Sequence, residues 1–246
     1  MENTTMENTR TKTTRNSLIL LLTAAIWGMA FVSQSKGMDY MHPFTFNGVR
    51  SLIGAASILV YILISRKIAG DKAAPLDWKL NVKAGLLCGI FLTIASTLQQ
   101  FGIKYTSVGK AGFITTLYII FVHMFGIFLK KKVAPVVWAA AVMAAVGMYL
   151  LCMTESLRLG AGDIMVFLCA IAFAIQIMTV DHYAARIDGA VVSCIQFTVC
   201  GVVCCIGALI WGQPTFGQLQ EGLGALLYAG VLSCGVGYTL QIEGQK

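Results

Sequence analysis

Eight long apolar runs, separated by short polar connections, constrain this chain more than any single motif does. They cover residues 17–35, 43–65, 82–101, 111–129, 133–153, 164–180, 190–211 and 223–241. Each is close to the ~20 residues a helix needs to cross the hydrocarbon core of a bilayer. Inside lipid the backbone must satisfy its own hydrogen bonds, so runs of this length become helices. Composition agrees: 57% of residues are hydrophobic and 12% charged, against about 25% charged in a soluble domain. So little charge cannot clothe a soluble core. The expected fold is an all-α membrane protein, a polytopic helical bundle.

The first run follows Arg10, Lys12 and Arg15, as in the basic start of a signal peptide. Seven further spans come after it, and it is long enough to remain in the membrane as an uncleaved helix. Of the eighteen lysines and arginines, thirteen fall on one side if the N-terminus is cytoplasmic, four fall on the other, and Arg50 lies within a span. Such a bias orients the N-terminus inward, and the short loops fit a plasma-membrane protein. The formal net charge of +7 comes from short clusters between apolar runs, such as Lys130–Lys132. That pattern suits anionic lipid at the cytoplasmic face and argues against nucleic acid. The eight cysteines sit inside apolar runs without a Cys-x-x-Cys pair or neighbouring histidines at metal-ligand spacing. They read as small buried hydrophobes, and no metal or other cofactor is expected.

The chain also repeats itself. "STLQQFGIK" in the third span returns as "YTLQIEGQK" in the eighth, with Thr97, Leu98, Gln99, Gly102 and Lys104 recurring 142 positions later. At an offset of 146, spans one and two line up with six and seven: Trp27 with Phe173, Asn47 with Ser193, Arg50 with Gln196, Gly54 with Cys200. A unit of five spans is odd, so its second copy enters the membrane upside down, a construction used by secondary transporters. The expected organisation is a cytoplasmic tail at 1–16, a first five-helix repeat at 17–154 and a second, incomplete repeat at 163–246. Two inverted five-helix repeats would make ten helices, of which eight are present. Completing the symmetry would take roughly 45–50 more residues and two spans, so the expectation is a chain truncated at its C-terminus.

"AAIWGMAFV", "FNGVRSLIGA", "QQFGIKYTSVGKAGFITTLYIIFV", "GDIMVFLCAIAFAIQI" and "GYTLQIEGQK" together resemble the EamA-type members of the drug/metabolite transporter superfamily. The resemblance runs from Leu18 to the end, and the third stretch is its most specific part. It implies ten helices in two five-helix repeats, and a carrier that exports or exchanges metabolites, amino acids or drugs. Two positions depart from the pattern: Lys110 replaces a small polar residue before "AGFIT", and His123 stands where a helix-four proline is usual.

Arg50 is the sharpest candidate residue. An arginine at mid-span costs about 2.5–3.5 kcal/mol on insertion scales and calls for compensation. Asn47, Arg50, Ser51, Gly54 and Ser57 share one helix face. Two readings stand for Arg50: attraction of an anionic solute, or snorkelling and ties to backbone carbonyls. Gln99, Gln100 and Gln241 either hydrogen-bond a polar solute or join helices. Trp27, Tyr118, Gln176, Gln196 and Tyr238 complete the set of candidate pathway residues. His123 reads as a neutral, hydrogen-bonded residue.

Other classes fit less well. "GAGD" at 160–163 matches the Gly-x-Gly-Asp of intramembrane aspartyl proteases, but that chemistry needs a second aspartate close enough to share a proton. Asp181 is ~27 Å farther along the same helix. The motif therefore reads as a helix start. A channel would want a ring of charges or a filter sequence. A non-transporting membrane fragment is the remaining alternative. The expectation is a non-enzymatic carrier of a small organic solute, working by alternating access in a lipid bilayer, with a homodimer as a possible assembly.

Overall fold

The structure, a computed structural model, describes residues 2–70, 76–128, 135–154 and 160–244. The helices are α1 (Glu2–Gly37), α2 (Pro43–Ala69), α3 (Trp78–Tyr105), α4 (Val108–Thr116), α5 (Tyr118–Phe128), α6 (Pro135–Thr154), α7 (Ala161–Tyr183), α8 (Gly189–Gly207), α9 (Phe216–Glu221), α10 (Leu223–Leu227) and α11 (Tyr238–Gly244). No strand occurs among the described residues. Among the described residues, seven segments are long and apolar enough to cross a membrane. The remaining expected span, 133–153, coincides with α6, whose first two expected residues lie outside the described ones.

Side chains at the helix starts take up backbone N–H groups that have no partner inside the helix. Asp77 Oδ1 accepts from Leu80 N at 3.0 Å, and Asp188 Oδ1 from Ala190 N at 3.0 Å. Pro43 opens α2, where its missing N–H is not needed. The "GAGD" stretch is a helix start: Asp163 Oδ2 accepts from Gly160 N at 3.0 Å, and its other oxygen accepts from Thr106 of the preceding connection.

Among the described residues, three spans depart from plain α-helix. The fourth breaks between α4 and α5, where Leu117 N bonds back to Ile114 O at 3.2 Å, the tighter three-residue spacing. The seventh ends in a wider, π-type turn at Ala208–Gly212. The eighth is α10, a π-type stretch at Tyr228–Gly237, and α11 in succession. No proline lies in the fourth or eighth span, so packing rather than a missing donor sets these departures.

Small residues let the helices approach closely, as lipid-embedded bundles require. α2 lies on α8, with Gly48 against Cys205 and Gly201 against Leu52. α3 lies on both α7 and α8: Gly102 meets Gly162 of α7, while Gly85 and Gly89 meet Ile195 and Val199 of α8. α2 also packs along the Tyr228–Gly237 stretch, and α1 along that stretch and α11. The faces left outside carry exposed aliphatic side chains, such as Leu18, Leu21, Leu63, Ile206 and Leu209. This is the arrangement of a bundle whose outer solvent is lipid.

Candidate functional site

A cavity of about 1340 Å³ lies among α1, α2, α3, α4, α5, α7, α8, the π-type stretch of the eighth span and α11. From α1 come Trp27, Phe31 and Gln34, which share one face at spacings of four and three residues. α2 contributes Arg50 and Ser51, α3 contributes Ser96 and Gln99, and Tyr118 enters just past the break at Leu117. Gln176 and Gln196 reach it from α7 and α8, and Tyr238 and Gln241 from α11. Two expected pathway residues, Asn47 and Gln100, are not among its lining. Both are buried between helices, at 1% and 0% exposure.

Asn47 works one turn behind Arg50. Its Oδ1 accepts from Arg50 Nε at 3.0 Å, while its Nδ2 donates to Ser96 Oγ at 3.1 Å and Cys204 Sγ at 3.2 Å. Cys200 joins the same cluster, with its sulfur 3.3 Å from Ser96 Oγ and accepting from Ser51 Oγ at 3.5 Å. Composition alone makes these cysteines plain hydrophobes, whereas here they act as polarizable hydrogen-bond partners. Their spacing on one helix face, i and i+4, is the signal that pairs them.

Arg50 is 6% exposed and its guanidinium lies 5.8 Å from the Phe46 ring centroid. Neither Nη donates a hydrogen bond to a described residue, and no described carboxylate pairs with it. Among the described residues, an ion pair joins Arg66 to Asp188 at 3.3 Å. Arg66 is sixteen residues farther along α2, ~24 Å away.

The glutamines divide. Gln176 Nε2 donates to Gln196 Oε1 at 2.9 Å, joining α7 to α8, and Gln99 Nε2 donates to Thr115 Oγ1 at 3.3 Å. Gln100 Nε2 donates to the Gln34 carbonyl at 3.2 Å, tying α3 to α1. Trp27 Nε1 donates to the Ser233 carbonyl at 3.2 Å, and its ring lies 5.2 Å from that of Tyr238. His123 lines the cavity with Nδ1 2.7 Å from the Ile119 carbonyl. That carbonyl only accepts, so Nδ1 carries the proton. Among the described residues no group of three or more His, Cys, Asp or Glu side chains is placed to hold a metal. Asp163 and Asp181 sit at opposite ends of α7.

The sequence model of the EamA-like transporter family matches this chain twice, over residues 15–153 and 160–246. The chain belongs to that family. An uncharacterized transporter of Archaeoglobus fulgidus is 30% identical over 171 residues, 67% of this chain and 48% of that protein. The chain thus spans about half the length of this relative. The uncharacterized transporter YwfM of Bacillus subtilis is 26% identical, covering 93% of this chain and 76% of its own. An uncharacterized transporter of Clostridium kluyveri is 25% identical, covering 90% and 74%. One solved crystal structure superposes with a TM-score of 0.70 over 94% of this chain and 79% of its own, at 18% identity, a likeness of fold. The chain is thus a member of the EamA-like transporter family with helices long and apolar enough to cross a membrane, and Arg50, Trp27 and the glutamines line its cavity. Lys110, the departure from the family pattern at the start of helix four, is buried at 8% exposure. The proline-less fourth span still breaks, six residues before His123.

Proposed function

We propose that the protein is a secondary carrier that moves a small organic solute across the plasma membrane by alternating access, with its N-terminus in the cytoplasm. The observation that carries this reading is a cavity walled by both halves of the chain, with pairings that exchange between them. α2 packs on α8; α3 packs on α7, and α1 packs on the eighth span; α3 packs on α8, and α2 packs on the eighth span. Exchanging spans one, two and three for six, seven and eight returns the same set of contacts. That is the relation expected of inverted repeats, here at 17–154 and 163–246. The double match of the family model, to 15–153 and 160–246, supports the same division.

In this mechanism the two halves rock about the crossing of α2 with α8 and open the cavity to one side at a time. Trp27, Arg50, Gln99, Tyr118, Gln176, Gln196, Tyr238 and Gln241 contact the solute, while Asn47 and Gln100 hold the walls in register. The test is counterflow. Reconstituted in liposomes preloaded with an unlabelled pool of small carboxylic and amino acids, the protein drives saturable uptake of labelled members of that pool. It shows no unitary current in a planar bilayer. Unitary current steps without counterflow would overturn the carrier reading.

A further inference from the structure

Arg50 is the one lysine or arginine among the described residues lining the cavity, and it forms no ion pair there with a described residue, although the lining also includes Asp181 near the C-terminal end of α7. A buried cation inside a span calls for a partner. The nearest structural answers are missing. Its Nε is engaged with Asn47, a neutral side chain, and its Nη groups make no hydrogen bond to a described residue. The described ion pair of α2, Arg66 with Asp188, lies ~24 Å away along the helix axis.

The guanidinium is nevertheless held in place. Asn47 Oδ1 takes Nε at 3.0 Å, and Asn47 is itself fixed by Ser96 Oγ at 3.1 Å and Cys204 Sγ at 3.2 Å. The Phe46 ring lies 5.8 Å below the guanidinium carbon. An orienting partner on Nε and an aromatic ring beneath leave the two Nη groups as a preset fork. Such a fork matches the two oxygens of a carboxylate.

The same cavity is lined by aromatic side chains. Trp27 and Tyr238 stand 5.2 Å apart, and Phe197 meets Tyr238 edge-on at 4.7 Å. The Trp27 N–H is already spent on the Ser233 carbonyl, so its ring presents an apolar face.

Resting on the carrier reading, we propose that Arg50 is the solute's carboxylate subsite. The transported solute is then a monoanionic carboxylic acid whose apolar body rests on Trp27 and Tyr238. One cation neutralises one negative charge. A phosphate monoester would carry a second charge into the cavity, where no second lysine or arginine stands among the described lining residues.

The experiment uses the full chain in nanodiscs and measures saturation binding of labelled acetate, butyrate, 3-phenylpropionate and indole-3-acetate. Each acid competes with its own primary amide, and 3-phenylpropionate also competes with phenyl phosphate. The expected result is saturable binding of the larger acids, with amides weaker by roughly ten- to a hundredfold, the loss of a charge-assisted pair. Phenyl phosphate competes less well than 3-phenylpropionate. Arg50→Lys keeps part of the affinity and Arg50→Gln loses the preference for acid over amide, in protein that stays monodisperse.

The comparison of acid with amide in the wild-type protein does not depend on any variant folding. Amides that bind as tightly as acids, phenyl phosphate that outcompetes the acids, or no saturable binding across the series would each overturn the inference. Counterflow of the same acids separates this claim from the one it rests on. Acid-selective binding without counterflow sinks the carrier and leaves the subsite. Counterflow of amides and acids alike sinks the subsite and leaves the carrier.

Discussion

Asn47 Oδ1 accepts from Arg50 Nε at 3.0 Å, so the cation facing the cavity is aimed by a neutral residue one helical turn away. The same Asn47 donates to Ser96 of α3 and Cys204 of α8, which makes the aim of Arg50 depend on how three helices meet. Removing the amide should therefore harm both fold and cavity. Asn47→Ala is expected to destabilise the protein by about 1–3 kcal/mol, the effect of leaving buried hydrogen-bond groups unpaired. Asn47→Asp has the opposite character: it places a carboxylate beside the guanidinium and occupies it internally. Thermal melts should separate the two, with Asn47→Asp retaining more stability. Solute binding should fall in both, and an Asn47→Asp protein with full affinity for an anionic solute would contradict this account.

Gln176 and Gln196 form an amide pair across α7 and α8 at 2.9 Å, both almost fully buried. A double-mutant cycle with Gln176→Leu and Gln196→Leu should give a coupling of about 0.6–1.7 kcal/mol, the range seen for hydrogen bonds between helices in lipid. A coupling indistinguishable from zero would mean the amides serve the solute and not each other.

Gly162 crosses Gly102 where α3 and α7 touch. A Cβ at Gly162 would stand 2.7 Å from Tyr105 C, 2.8 Å from Gly102 O and 2.9 Å from Tyr105 O. All three are backbone atoms that cannot rotate aside. Gly162→Ala should destabilise the protein by about 1–3 kcal/mol through forced separation of the helices. Gly28→Ala, where nothing lies within 4 Å, is the control and should be neutral or slightly stabilising. Equal melting temperatures for the two variants would refute the close crossing.

His42 caps the start of α2, its Nδ1 accepting from Phe44 N at 3.3 Å. Burial first, and the nearby Lys104 charge second, hold its pKa below the ordinary value of 6.5. The folded protein therefore binds this proton less readily than the unfolded chain. Stability from this site is present above the unfolded value and declines as pH falls below about 6.5 toward the lowered folded one. Protonation also removes the acceptor at Nδ1. Melts from pH 7.5 down to 5 should show a decline that flattens in His42→Asn, which caps without titrating. An unchanged slope in that variant would assign the decline to other groups.

Much of this molecule is legible in its linear order. An apolar run of about twenty residues in lipid has no option but to close its own backbone hydrogen bonds. For that reason α2, α3, α7 and α8 fall where the hydropathy placed them. Arg50, Ser51 and Gly54 share a face by helical period alone. What period cannot say is how that face is divided. Asn47 and Arg50 stand on the same stripe, yet Asn47 is swallowed by the junction with Ser96 and Cys204 while Arg50 opens onto the cavity. Gln99 and Gln100 are adjacent, and a rotation of one residue sends the first to the cavity and the second to the Gln34 carbonyl. Nor does the local sequence around Leu117 or Tyr228–Gly237 contain a proline to announce where the helix departs from α. Those outcomes come from contacts between residues as distant as Trp27 and Ser233. In a medium that gives apolar surfaces no reason to prefer one another over lipid, close packing and buried hydrogen bonds alone choose each helix's rotation.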